Sequence, residues 1–156
     1  MGEALRQRIK QTRFQSPFQE AILNLIVAGN HVRERGERAV AAFDITLPQY
    51  NVLRILRGVH PSGHPRYEIA ARMLDRAPDV TRIIDRLEQK SLVERDRTGA
   101  DRRHSITRIT EQGLDLLKRM QPAMEEPFND IRERLPAADC KELSRICELI
   151  YGPPGK

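Results

Sequence analysis

The sequence contains no tryptophan, only 4% aromatic residues and two cysteines among its 156 residues. It also lacks a long apolar run, because its best candidate, AILNLIVAG at positions 21–29, is far shorter than the roughly 20 residues of a membrane-spanning helix. The first 14 residues, MGEALRQRIKQTRF, carry basic side chains but no apolar stretch, unlike a secretory signal. These absences argue against a membrane or disulfide-built secreted protein and predict a cytoplasmic protein without a membrane partner.

Sites for metals, redox chemistry and catalysis are also missing. Cys140 and Cys147 would lie about 10 Å apart on one helix, too far for a disulfide. Their apolar spacing predicts burial, which favours inert thiols over redox sensors. Among the four histidines only His60 and His64 could share a loop site, so no zinc site is predicted. Without a phosphate-binding glycine loop or a nucleophile elbow, we expect no cofactor and no enzyme.

The charge that is present is unevenly placed. Residues 54–108 hold 13 Lys and Arg against 8 Asp and Glu, whereas the rest of the chain holds 14 of each. The net charge of +5 therefore comes entirely from the middle third. This distribution is expected when one segment meets a polyanion and its flanks meet protein. Chance variation in a composition of 22 Arg and 5 Lys is the alternative.

Two helix starts organise the first part of the chain. SPFQ at 16–19 combines a capping serine, a first-turn proline and a glutamine that can close a capping box, and the apolar spacing behind it predicts a helix to about Phe43. TLPQ at 46–49 repeats this pattern, and that helix is predicted to stop at Gly58. The turn-rich segment VHPSGHPR follows, and then a short helix from Tyr67.

The next predicted helix starts near Pro78 or Asp79, runs to about Lys90 and has two different faces. Val80, Ile83, Ile84 and Leu87 form a single apolar face. The opposite face is polar and consists of Asp79, Thr81, Arg82, Asp85, Arg86 and Gln89. A short helix directly before it suggests a helix-turn-helix, whose second helix reads base edges in the major groove. Plain solvation of a charged face is the alternative for any isolated helix.

A β-hairpin is predicted after this helix. Apolar pairs at 92–93 and at 106 and 109 flank the stretch RTGADRRHS, in which Gly99 can form the turn. Arg97, Arg102 and Arg103 can lie along a DNA backbone, and one guanidinium can enter the narrow minor groove. Asp101 is hypothesised to accept hydrogen bonds from Arg103 and to hold it extended. Helix-turn-helix and basic hairpin together describe a winged helix.

The last third of the chain predicts long helices. Thr110 can cap a helix with apolar residues every three or four positions, which Pro122 and Pro127 must kink or restart, and a final helix follows Pro136. Long helices at both ends suggest a dimerisation region, whereas packing inside a monomer is the alternative. The predicted fold is mainly α with a small β-hairpin wing. It comprises an arm and dimerisation helix (1–45), a winged helix-turn-helix lobe (46–109) and C-terminal dimerisation helices (110–156).

The stretches DVTRIIDRLEQKSLVERD and DRRHSITRITEQGLDLL resemble the recognition helix, wing and following helix of the MarR family, the multiple-antibiotic-resistance type of transcriptional regulators. This resemblance implies a homodimeric repressor that binds a pseudo-palindromic site on double-stranded DNA and is released by a small aromatic or phenolic effector. It assigns a role to each of several residues: Thr81, Arg82 and Arg86 to the major groove, Arg103 with Asp101 to the wing, Arg97 and Arg102 to phosphates, and His31, Tyr50 and Arg54 to the effector cleft.

Three positions depart from the family's pattern. Tyr67 stands where many members have a capping Ser or Thr, and Leu74 and Ser91 stand where glycines are common. If Ser91 adopts a left-handed conformation, the expected cost is about 1 kcal/mol. The competing function is a winged-helix module that binds a protein partner without reading DNA sequence. Such a module would show little salt dependence, whereas DNA affinity falls steeply as salt rises.

Overall fold

A computed structural model describes residues 2–75, 79–96 and 105–152. Its helices are α1 (Glu3–Ile9), α2 (Pro17–Ala41), α3 (Leu47–Arg57), α4 (Arg66–Arg72), α5 (Val80–Gln89), α6 (Glu111–Glu125), α7 (Asn129–Arg134) and α8 (Ala137–Tyr151). Its strands are β1 (His64–Pro65), β2 (Val93–Arg95) and β3 (Ile106–Ile109). The predicted class, mainly helical with a small β-hairpin, is confirmed.

The predicted helix starts are confirmed by their capping hydrogen bonds. Thr46 Oγ1 accepts from the Gln49 backbone N–H at 3.4 Å while Gln49 Oε1 accepts from the Thr46 N–H at 2.9 Å, which is a complete capping box. Ser16 Oγ accepts from the Gln19 N–H, but the Gln19 side chain accepts from Gln15 rather than from Ser16. Helix α2 ends at Ala41, two residues before the predicted Phe43, and turn residues follow it.

The sheet has a strand that the sequence did not predict. Strand β3 lies in the middle of an antiparallel sheet of order β1-β3-β2. His64 pairs with Thr107 and Val93 pairs with Ile109, so the segment interpreted as a turn contributes an edge strand. Gly63 permits this pairing because it has a φ of +76°, and a Cβ there would lie 2.4 Å from the Thr107 carbonyl oxygen.

One apolar core joins the helices to this sheet. Its fully buried side chains come mainly from α3, α5 and α6, with contributions from α4 and the strands. The central members are Val52, Leu53, Leu56, Ile69, Leu87 and Met120. Because α5 buries its apolar face here, its polar face is turned away from the core.

The C-terminal segment is interrupted at one of the two prolines that were expected to kink or restart it. Helix α6 continues through Pro122 to Glu125, whereas Pro127 lies in a 3₁₀ turn at Glu126–Phe128 that separates α6 from α7. The predicted burial of the cysteines is wrong for this chain by itself, since Cys140 is exposed and Cys147 is half-buried. Helix α8 as a whole has no buried residue.

No helix among the described residues combines the length and apolar character needed to cross a membrane. Within the same residues, no group of three or more His, Cys, Asp or Glu side chains is arranged to hold a metal ion.

Candidate nucleic-acid interface

Helix α5 has the two faces that its sequence predicts. The Asp79 side chain caps the helix by accepting a hydrogen bond from the Arg82 backbone N–H at 3.2 Å. Val80, Ile84 and Leu87 are buried, and Ile83 packs against the core from a half-buried position. The exposed side chains are Thr81, Arg82, Arg86 and Gln89. The helix therefore presents a hydroxyl and two guanidinium groups to solvent from a firmly anchored apolar face.

The strands behind the hairpin tip are tied to α5. Arg95 on β2 forms an ion pair with Asp85, and its Nε lies 3.7 Å from a Glu88 carboxylate oxygen. Arg108 on β3 lies 3.5 Å from Asp96 across the hairpin. The carboxylates of Asp85 and Glu88 on α5 are thus paired with an arginine of the sheet. Their negative charge therefore neutralises less of the positive potential around Arg82 and Arg86.

Four predicted site residues of the hairpin tip, Arg97, Asp101, Arg102 and Arg103, lie outside the described residues. The strands on either side of these residues are described, and β2 and β3 pair up to the register Arg95–Thr107. This end of the paired strands lies next to α5, since Arg95 forms an ion pair with Asp85.

Leu74 and Asp75, which follow α4, are each held by a neighbouring helix. The Leu74 backbone N–H donates to the Asn51 side-chain oxygen of α3 at 2.9 Å. Arg33 of α2 donates a hydrogen bond to the Asp75 carboxylate at 3.3 Å, and this contact raises the pKa of the Arg33 guanidinium. The φ of Leu74 is not positive, so position 74 does not need the glycine common in the family.

Ser91 does adopt the left-handed conformation that the sequence comparison raised. Its φ is 58°, and its backbone N–H donates to the Glu88 carbonyl at 2.9 Å to end α5. The Ser91 carbonyl accepts from the Thr110 hydroxyl at 2.7 Å. A residue with a Cβ thus occupies the left-handed position after α5, at a conformational cost of about 1 kcal/mol. Its carbonyl connects this turn to Thr110, the residue that caps α6.

A residue that sequence reasoning missed also lies on this surface. Arg66, the first residue of α4, donates from Nη1 to the Thr81 hydroxyl oxygen at 3.2 Å. The turn chemistry of VHPSGHPR gave no indication of this contact, since it depends on β1 pairing with β3.

The predicted effector residues do not all line one hollow. Tyr50 and Arg54 line a cavity of about 470 Å³ between α2, α3 and the 3₁₀ turn, whose lining also includes Arg33 and Asp75. Arg54 Nη1 donates to the Tyr50 hydroxyl at 3.0 Å. His31 instead lines a separate hollow of about 490 Å³ on another face of α2. Neighbouring residues of a helix point about 100° apart, so two faces of α2 serve two hollows.

The second hollow contains an arginine that holds the C-terminal segment. Arg35 donates to the Pro127 carbonyl and forms an ion pair with Asp130 of α7. The hydrogen bond between Arg35 and Asp130 lowers the pKa of the Asp130 carboxyl below its ordinary value and raises the pKa of the Arg35 guanidinium. The pair fixes α7 to α2 on the side of α2 that faces away from the Tyr50 cavity.

Comparison with known proteins agrees with this arrangement. Residues 45–105, which contain the helix-turn-helix and the first strand of the hairpin, match the MarR family. The chain is 30% identical over 115 residues to the HTH-type transcriptional repressor IacR of Pseudomonas putida, over 74% of this chain and 68% of that protein.

Solved structures extend the likeness to nearly the whole chain. A MarR transcription factor from Planctomyces limnophilus is 38% identical with a TM-score of 0.68, over 88% of this chain and 99% of that one. CouR from Rhodococcus jostii RHA1, in a structure with bound p-coumaroyl-CoA, shares the fold at 20% identity and a TM-score of 0.73, over 92% of this chain and 99% of that one. The basic winged helix-turn-helix and these likenesses together establish that the chain belongs to the MarR family of DNA-binding transcriptional regulators.

Proposed function

We propose that this regulator is a homodimeric repressor that binds a pseudo-palindromic operator and is released by a small aromatic or phenolic effector. The observation that carries the proposal is the exposed polar face of α5, with Thr81, Arg82 and Arg86 free of the core beside a paired hairpin base. Repression is supported by the related IacR, which is named as a repressor.

In the proposed complex α5 lies in the major groove. Thr81 is close to the helix N-terminus, where a small side chain permits close approach to base edges. Arg82 and Arg86 can each donate two parallel hydrogen bonds to guanine O6 and N7. At the hairpin tip, Arg103 supported by Asp101 enters the minor groove, and Arg97 and Arg102 contact phosphates. These four roles rest on the sequence and on the position of the strands that carry the tip.

The exposed apolar side chains of the terminal helices support dimerisation. On α8, Leu149 is 71% exposed and Tyr151 is 72% exposed, while Phe18 at the start of α2 is 75% exposed. Large apolar side chains in this number on two helices indicate a protein-binding surface. A second copy covering them would bury the side of α8 that carries Cys147, as the apolar spacing of α8 predicts, and would present two copies of α5 to successive major grooves.

The cavity at Tyr50 and Arg54 supports an effector site. Its volume of about 470 Å³ is in the range of small-molecule sites, and its lining is mainly apolar with a few polar groups. An aromatic ring can pack against Leu47, Met124 and Phe128, while the Tyr50 hydroxyl and the Arg54 guanidinium can bind a phenol oxygen or a carboxylate. In CouR, which shares the fold, the bound molecule is p-coumaroyl-CoA, which contains a phenol.

The same cavity adjoins the segment that leads into α5. Arg33 and Asp75 line it and form an ion pair across it, and Asn51, which holds the Leu74 backbone, also lines it. An anionic effector that attracts Arg33 would compete with Asp75 for the guanidinium. Weakening this contact would loosen the segment before α5, and a ligand that binds better to the loosened state would lower DNA affinity.

Selection of bound sequences from a random duplex pool at two salt concentrations tests DNA reading. We expect a palindrome with half-sites about 10 bp apart or a multiple of that, and a steep loss of affinity with salt. Arg82→Ala should relax preference at one position per half-site at a cost of roughly 1 to 3 kcal/mol. Arg102→Ala should weaken all sequences alike and reduce the salt slope by about one. Recovery of no motif would refute DNA reading, and an unchanged motif with Arg82→Ala would refute the role of Arg82.

Release by an effector is tested on the selected operator with p-coumaroyl-CoA and simple phenolic carboxylates as probes. A compound that lowers operator affinity of the parent should act less on a Tyr50→Phe, Arg54→Ala variant, because the Tyr50 hydroxyl and the Arg54 guanidinium proposed to bind its polar group are removed. His31→Ala is the matched control, since His31 lines the other hollow. The reverse result, with His31→Ala unresponsive, would move the effector site to that hollow.

A further inference from the structure

Arg66 lies on the surface that α5 exposes, although it belongs to a different helix. Its Nη1 donates to the Thr81 hydroxyl oxygen at 3.2 Å, and both side chains are exposed. Thr81 is the second residue of α5, so the Arg66 guanidinium is held beside the first turn of this helix. The side chains nearest the N-terminus of such a helix approach the bases most closely.

The backbone before Arg66 is fixed by the sheet. Pro65, directly before it, pairs with Ile106 of β3 and is extended, with φ −69° and ψ 157°. Gly63 provides the tight approach to Thr107 that lets β1 join the sheet. The start of α4 is therefore tied to the strand that leads out of the hairpin, and Arg66 is presented from a fixed point between hairpin and α5.

The surrounding carboxylates have other partners. Glu68 pairs with Arg72, Asp79 caps α5, and Asp85 pairs with Arg95. Within the described residues Arg66 forms no ion pair with a carboxylate, and its contact with Thr81 uses only one of the five N–H groups of a guanidinium. An exposed arginine that is hydrogen-bonded to a neutral hydroxyl keeps its charge and most of its donors available for another acceptor.

We propose that Arg66 and Thr81 form one base-reading unit at the start of α5, an inference that rests on the proposed position of α5 in the major groove. Because the Thr81 oxygen accepts from Arg66, its own O–H is directed elsewhere and can donate to a base acceptor. The Arg66 guanidinium is held in place by this contact, with a pair of N–H groups left for guanine O6 and N7. The unit selects sequence at one or two adjacent base pairs of each half-site.

The test compares selections from the random duplex pool for the parent and for Arg66→Ala, Arg66→Lys, Thr81→Ala and the Arg66→Ala, Thr81→Ala double variant, with Arg82→Ala as a reference. Arg66→Ala should relax a position at or next to the one that Thr81→Ala relaxes, and should weaken the selected operator about tenfold or more relative to random DNA. The double variant should lose little beyond the more severe single variant, since partners in one unit are not additive. Arg66→Lys should keep the salt slope of the parent and lose the preference, because an ammonium cannot make the paired contact.

Three outcomes would overturn the proposal. Equal weakening of all sequences by Arg66→Ala, with the salt slope reduced by about one, would make Arg66 a phosphate contact. An unchanged motif for both Arg66 variants while Arg82→Ala relaxes its own position would leave Arg66 a structural contact, although α5 still reads DNA. Absence of any motif with the parent would overturn the DNA-reading function and this inference with it. If Arg66→Ala lowers the unfolding midpoint, the sequence preference of Arg66→Lys, which keeps the positive charge, decides whether Arg66 reads bases.

Discussion

Replacing Gly113 with alanine sets two physical effects against each other. Gly113 lies in the first turn of α6, where alanine would favour the helix by up to about 1 kcal/mol. A Cβ at this position would, however, lie 2.3 Å from the Leu92 carbonyl oxygen and 2.6 Å from Ile109 Cγ1. Ordinary contacts are about 3.5 Å, so α6 would have to move by roughly 1 Å.

That movement is opposed by the contacts at the start of α6. The Thr110 backbone N–H donates to the Leu92 carbonyl at 3.1 Å, and its hydroxyl donates to the Ser91 carbonyl at 2.7 Å. Overpacking costs about 1 to 3 kcal/mol, and weakening each of these hydrogen bonds costs about 1 kcal/mol or less. The close contact therefore outweighs the helix preference, and we expect Gly113→Ala to lower the free energy of unfolding by about 2 kcal/mol.

Urea unfolding at a single protein concentration measures this effect, since association of subunits would link stability to concentration. Gly29→Ala is the matched control: Gly29 lies in the middle of α2, and a Cβ there would meet nothing within 4 Å. It should raise the free energy of unfolding by up to about 1 kcal/mol. If Gly113→Ala stabilises the protein as Gly29→Ala does, the close packing of α6 on the turn after α5 is refuted.

Two further predictions concern a strained turn and an ion pair. Ser91→Gly should raise the free energy of unfolding by about 0.5 to 1 kcal/mol, because the strain removed from the left-handed conformation exceeds the entropy that glycine adds to the unfolded chain. A loss of stability in urea unfolding would contradict this. Asp130→Asn should be less stable than the parent above pH 3.8, the ordinary pKa of this carboxyl, because Arg35 lowers that pKa in the folded state. Since the ion pair is lost as pH falls through the lowered pKa, the difference in thermal stability between parent and Asp130→Asn should shrink in acid. A difference that stays constant in acid would exclude the ion pair as its cause. Asp139→Asn, at an exposed position, serves as the control.

Local signals in the sequence were enough for the helices that Ser16, Thr46, Asp79 and Thr110 begin and for the division of α5 into two faces, whereas α1 (Glu3–Ile9) was not predicted. Thr46, Asp79 and Thr110 cap the helices that follow them, because capping depends on residues three positions apart. The helical spacing of apolar residues predicted that Ile84 and Leu87 lie in the core, because residues three or four positions apart share one face of a helix. The left-handed Ser91 was foreseen because it replaces a glycine that the family commonly has there.

Contacts between distant segments decided the rest. Strand β1 forms only because Gly63 lets the chain approach β3 more than 40 positions later, and this pairing brings Arg66 to Thr81. His31 lies in a different hollow from Tyr50 and Arg54 because of which face of α2 packs on α3. The residues next to His31 in the sequence do not indicate this separation. The sequence by itself determined the capped helices, the apolar face of α5 and the basic middle third, since each depends on neighbouring residues. Only the tertiary structure decided which arginines share a surface, because that depends on pairings between segments far apart in the chain.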